Sequence, residues 1–96
     1  MTNFKEKILI ADDDPNIVKI LKDRLAKKGF QVITAFNGEE AFTLTKSESP
    51  GIAILDLQMP MMSGIEVLQE IKRHNLDVTT IFLTAYGTIE AAVKAM

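Results

Sequence analysis

Lys7-Ile-Leu-Ile-Ala-Asp12-Asp13-Asp14-Pro15 is the stretch on which the fold turns. Behind Lys7 runs an unbroken apolar segment to Ala11, the pattern of a strand buried on both faces. Three acids follow at once, and Asp14-Pro15 supplies an N-cap and a first-turn proline, two helix-start signals. Ile17, Ile20, Leu21 and Leu25 then recur at helical spacing, and Gly29 stands where such a helix stops. No internal repeat follows, but strand-like and helix-like apolar patterns alternate regularly down the chain. Gln31–Ala35 reads as a second strand, and Asn37 with Glu40 resembles a capping box before Ala41 and Leu44. Ser49-Pro50-Gly51 breaks that helix, and Ile52–Leu55 is a third strand. Ser63 with Glu66 opens a third helix, with Ile65, Leu68 and Ile71 facing inward. Val78–Leu83 is a fourth strand, rich in β-branched residues, and after Gly87 the positions Ile89, Ala92, Val93 and Met96 trace a fourth helix.

Strands alternating with helices across short connections call for a parallel sheet covered by helices on both faces. The expected fold class is therefore α/β, a flavodoxin-like three-layer sandwich with strand order 2-1-3-4. Its 96 residues are enough for one domain, residues 1–96, with one modest core. The 47% apolar and 25% charged composition is that of an ordinary globular chain. With no cysteine, disulfides, thiolate metal sites and cysteine nucleophiles are excluded. The single histidine, His74, argues against multi-histidine metal sites and a Ser-His-Asp triad. No apolar run approaches the roughly 18 residues of a membrane span, and the first residues lack a secretory pattern. A cytoplasmic protein without membrane contact is expected. Thirteen acids against eleven bases, net charge −2, offer no footprint for nucleic acid.

Ligands in such sheets bind beyond the carboxyl ends of the strands, where the winding reverses. Asp12 and Asp13 stand at the end of the first strand, Asp56 at the end of the third, and Thr84 and Ala85 at the end of the fourth. If strands one and three are neighbours, three carboxylates converge, and like charges cost stability unless a cation neutralises them. No Lys or Arg sits at these ends; Lys5 and Lys7 flank the opposite end of strand one. Oxygen ligands with room for water suit Mg²⁺. A carboxylate beside such an ion can also attack phosphorus to give an aspartyl phosphate.

Ile-Leu-Ile-Ala-Asp12-Asp13-Asp14-Pro, Ile-Leu-Asp56-Leu-Gln-Met-Pro60-Met-Met-Ser-Gly64 and Phe-Leu-Thr84-Ala85-Tyr together resemble a response-regulator receiver domain of two-component signalling. The resemblance covers the whole chain, and its last segment is most similar to receivers of the nitrogen-regulator (NtrC) type. It implies a CheY-like fold and a phosphoacceptor role for Asp56, served by a sensor histidine kinase that presents phosphohistidine. It further implies that Asp13 and Asp56 bind Mg²⁺, that Asp12 assists through water, and that the backbone carbonyl of Gln58 completes the set. Thr84 would be the switch hydroxyl, and small Ala85 would leave access for the phosphoryl group. The implied activity is self-phosphorylation and self-dephosphorylation rather than metabolic catalysis. An output domain or downstream protein, or a homodimer, would read the signal. The family pattern also calls for a fifth strand carrying a lysine and for a fifth helix, which residues 1–96 lack. We therefore expect a fragment of a longer receiver, with apolar surface beside the first helix and an open edge at Ile81, Phe82 and Leu83.

Plainer readings account for other residues. Asp14 is a helix cap, and His74 is a solvated residue favourable to a helix C-terminus. Met59, Met61 and Met62 are packing under a loop, and Gly38 and Gly64 serve helix entries rather than a phosphate-cradling loop. Asp12-x-Asp14-x-Asn16 imitates a calcium loop, but Ile17 occupies the position that needs glycine. A dehalogenase-type phosphatase would need a cap and further motifs that 96 residues cannot hold. The competing functional reading is an unphosphorylated, receiver-like interaction module.

Overall fold

The structure, a computed structural model, describes residues 6–83. Strands β1 (Lys7–Ala11), β2 (Gln31–Ala35), β3 (Ile52–Asp56) and β4 (Thr79–Leu83) alternate with helices α1 (Pro15–Lys27), α2 (Gly38–Glu48) and α3 (Gly64–Arg73). All strand pairs are parallel, and the sheet order is β2-β1-β3-β4. The expected order is thus the observed one. The expected fourth helix, Ile89 to Met96, lies outside the described residues.

Pleating sorts the core into two layers. Leu9, Ala11, Ala35, Ala53, Leu55 and Phe82 point to one face, where Ala41 of α2 and Val67, Leu68 and Ile71 of α3 cover them. Ile8 and Ile10 point to the other face, against Val18 of α1, with Leu21, Leu25, Ile52 and Ile54 half-buried around them. Leu9 and Phe82 are almost fully hidden, each worth roughly 2–3 kcal/mol of transfer free energy.

Two helix faces differ from expectation. In α1 the sheet takes Val18, Leu21 and Leu25, which share one stripe, and leaves Ile17 and Ile20 on its flank at 39% and 54% exposure. In α3 Val67 is buried and Ile65 faces outward. Both helices carry more apolar positions than one packing stripe can hold, so spacing alone did not choose among them. On the same sheet face, Ile52 and Ile54 are half-buried and pack against the Ile8, Ile10 and Val18 cluster. Among the described strands β4 does lie at the sheet edge, as expected. The Phe82 side chain is turned onto the sheet face at 1% exposure, and Ile81 and Leu83 are half-buried.

Local signals set the helix ends. Asp14 caps α1 by accepting from the Asn16 amide at 2.9 Å. Ser63 and Glu66 form the reciprocal capping box that opens α3. Asn37 caps α2 through the Glu40 amide at 2.7 Å, but the Glu40 carboxylate accepts from Phe36 rather than from Asn37. His74 caps the end of α3: its Nδ1 lies 2.9 Å from the Glu70 carbonyl oxygen, and its ring leans on Phe42. Met59 and Met62 pack against the core, whereas Met61 is 73% exposed in a left-handed conformation.

Candidate functional site

The parallel register builds the site. Ala11 is level with Leu55 across the β1–β3 pair, so the next residues, Asp12 and Asp56, emerge side by side from the two central strands. Carboxylate oxygens of Asp12, Asp13 and Asp56 all lie within 4.8 Å of one another. Asp12 is buried, Asp56 half-buried and Asp13 exposed, so the cluster opens to solvent on the Asp13 side. None of the ion pairs found among the described residues involves these acids; Lys7–Glu48, Lys19–Asp23 and Arg73–Glu70 lie elsewhere.

Asp12 carries the electrostatic cost. Burial pushes its carboxyl up from 3.8 to about 6, and the charges of Asp56 and Asp13 add to the rise. The Asp14 amide opposes that rise by donating to Asp12 Oδ1 at 2.9 Å. An acid held toward neutrality chiefly by burial, with two acidic neighbours beside it, offers a ligand set for a hard cation. The fit with Mg²⁺ is good, because every donor is oxygen and one side is open to water.

Backbone contacts hold the acids in place. The Asp12 amide donates to the Ala35 carbonyl at the end of β2. The Gln58 amide donates to Asp56 Oδ1 at 3.4 Å, which puts Gln58 on the loop directly beyond the acid. Gly64 returns that loop to the sheet: its amide donates to Leu57, and a Cβ there would collide with the Asp56 carbonyl oxygen and stand 3.1 Å from Leu57 Cα. Only a glycine permits so close an approach. The structure thus brings together Asp12, Asp13, Asp56 and the Gln58 backbone. Thr84 and Ala85 lie outside the described residues. The contacts through Ala35, Asp14 and Gly64 escaped the sequence reading, because carbonyls and amides leave no signature in residue type.

A doubly wound parallel sheet with acids gathered past its two central strands defines a class, the α/β domains that bind a ligand at the switch point of their winding. Within that class, the chain belongs to the response regulator receiver domain family, whose profile matches residues 8–96. It is 48% identical over 92 residues to the probable transcriptional regulator ycf27 of Guillardia theta, covering 96% of this chain and 36% of that protein. The chain therefore spans about a third of the length of such relatives. Its fold is similar to the Francisella response regulator 1452 receiver domain, with TM-score 0.85 and 28% identity over 95% of this chain and 75% of that one. It is also similar to the response regulator TrrA of Thermotoga maritima, solved in complex with Mg²⁺-BeF. That likeness has TM-score 0.81 and 40% identity, covering 94% of this chain and 78% of that one. The finer likeness to nitrogen-regulator receivers rests on residues from Thr84 onward, outside the described region. Among the described residues no helix is long and apolar enough to cross a membrane.

Proposed function

We propose that this domain is the phosphoacceptor of a two-component system, with Asp56 as the nucleophile. The observation that carries the reading is the convergence of three carboxylates within 4.8 Å, beyond the ends of two adjacent strands. Asp12, Asp13, Asp56 and the Gln58 carbonyl would hold Mg²⁺. When bound, the ion supplies positive charge that offsets the negative charge on the phosphoryl oxygens.

The partner is a sensor histidine kinase bearing phosphohistidine. An Asp56 carboxylate oxygen attacks phosphorus in line, an O–P bond forms, and the P–N bond breaks. The electron pair of that bond returns to the imidazole. Asp12 and Asp13 add negative charge beside the attacking carboxylate, which disfavours a further anion there unless a cation offsets it. Thr84, the next residue in the sequence after Leu83, would meet a phosphoryl oxygen with its hydroxyl, and Ala85 would leave room for the group. The new charge then alters which output domain, downstream protein or second copy the surface prefers. Direct nucleic-acid contact by this region is not part of the reading.

Incubation with Mg²⁺ and acetyl phosphate, followed by intact-mass spectrometry, tests it. One added phosphoryl group is expected in the wild type and none in Asp56→Asn, which keeps the shape but cannot attack. Equal modification of both proteins, or of neither, would refute the assignment; the latter would favour a module that is never phosphorylated.

A further inference from the structure

Residues 35–38, the corner where β2 becomes α2, contribute no carboxylate to the acidic site, yet they touch both of its arms. On one side the Ala35 carbonyl accepts the Asp12 amide at 3.2 Å. On the other, the Gly38 amide donates to the Pro60 carbonyl at 3.3 Å, on the loop that carries Gln58 away from Asp56. That loop is tightly turned here: the Met62 amide also donates to Pro60, at 2.8 Å, and Met61 between them is left-handed. Gly38 lies flat against the turn. A Cβ on it would overlap the Met62 carbonyl oxygen and stand 2.5 Å from the carbonyl carbon. The corner is itself fixed, since Glu40 accepts from the Phe36 amide at 2.8 Å while Asn37 accepts from Glu40.

We propose that this corner is a positioning element of the acidic site, with Gly38 setting the distance between the Asp12 arm and the Asp56–Gln58 loop. The proposal rests on the reading of Asp12, Asp13 and Asp56 as a Mg²⁺ site. Helix propensity points the opposite way at Gly38. It is the first residue of α2 and is not left-handed, so alanine suits its backbone and strengthens the helix. A loss on adding one methyl group therefore comes from the loop being pushed away, not from the helix. By linkage, what the corner does for the cation the cation does for the corner. Binding of Mg²⁺ tightens the Gly38–Pro60 hydrogen bond.

Two measurements test this on the chain as it stands. Calorimetric titration with MgCl₂ compares wild type, Gly38→Ala and Ile71→Val, the last a buried α3 change away from the loop. Gly38→Ala should weaken Mg²⁺ binding about tenfold, as outer contacts to a metal site commonly do, while Ile71→Val binds as wild type. In the wild type, added Mg²⁺ should slow hydrogen exchange at the Gly38 amide several-fold and leave the Thr45 amide unchanged. A folded Gly38→Ala protein with wild-type affinity, or a Gly38 amide indifferent to bound Mg²⁺, overturns the proposal while leaving the metal site intact. Should Gly38→Ala not fold, the amide measurement alone decides. A wild type that binds no Mg²⁺ refutes the metal reading and this inference together.

Discussion

Strand β1 begins on a charged residue, Lys7, and runs directly into another, Asp12, and the two ends treat charge in opposite ways. At its start the Lys7 ammonium is 3.1 Å from the Glu48 carboxylate and donates to the Glu48 carbonyl, so it serves both a counter-ion and the last turn of α2. At its finish Asp12 is buried beside Asp13 and Asp56 with no ion pair to a cationic side chain among the described residues, and burial drives its carboxyl up to about 6. One end is satisfied within the fold. The other is left in a state that costs stability and that a cation would relieve. Folding alone is served by the first arrangement, and the second is the cost that the proposed Mg²⁺ site would offset.

The largest effect expected from this contrast is Mg²⁺-dependent stabilisation at the acidic end. At about 100 times the dissociation constant, binding should add about 2.7 kcal/mol, read as a rise in melting temperature. Asp13→Ala should remove that rise entirely. Without metal, the same variant should melt no lower than wild type, because it removes an exposed acid from a like-charged cluster. A melting curve insensitive to millimolar Mg²⁺ would erase the difference between the two ends.

A smaller effect concerns protons at the same end. The Asp12 carboxyl is raised from 3.8 to about 6, so the metal-free folded state binds more protons than the unfolded chain between those values. Its contribution to stability is complete below pH 4 and is lost as pH rises through about 6. Denaturant melts of metal-free wild type should therefore weaken across this window relative to Asp12→Asn, which lacks the titration. Protons and Mg²⁺ compete for the same carboxylate, so Mg²⁺ affinity should fall as the pH drops through 6. Parallel pH profiles for wild type and Asp12→Asn would mean that burial does not perturb this acid.

These tests lean on residues that the sequence had already singled out, and the reason is physical. Strand runs such as Ile52–Leu55 are short and fully apolar, and an acid directly after one has few structural uses. Strand order followed from chirality and connection length. What stayed hidden falls into two kinds. Ile17, Ile20 and Ile65 are apolar yet turned outward, because spacing marks candidates for burial while the sheet accepts one stripe. Contacts such as Gly38 with Met62, or Gly64 with Asp56, join backbone to backbone across the chain. A glycine in the sequence says that something approaches closely, never what.

The smallest effect belongs to the satisfied end. Lys7→Met keeps the aliphatic stem along β1 and removes the ammonium from both Glu48 acceptors. The pair is partly exposed, with side-chain exposures of 26% and 41%, so solvent screens it and its worth is modest. A loss of about 0.5–1 kcal/mol is expected in urea unfolding, including the hydrogen bond to the helix-ending carbonyl. Much of that loss should vanish in high salt, where surface ion pairs contribute little. Mg²⁺ affinity should not change, since the length of β1 separates Lys7 from Asp12 and screened charges at that distance barely interact. If Lys7→Met instead alters Mg²⁺ binding as strongly as Asp13→Ala does, the two ends are coupled through β1, and charge at the start of the strand is part of how the acids at its finish are held.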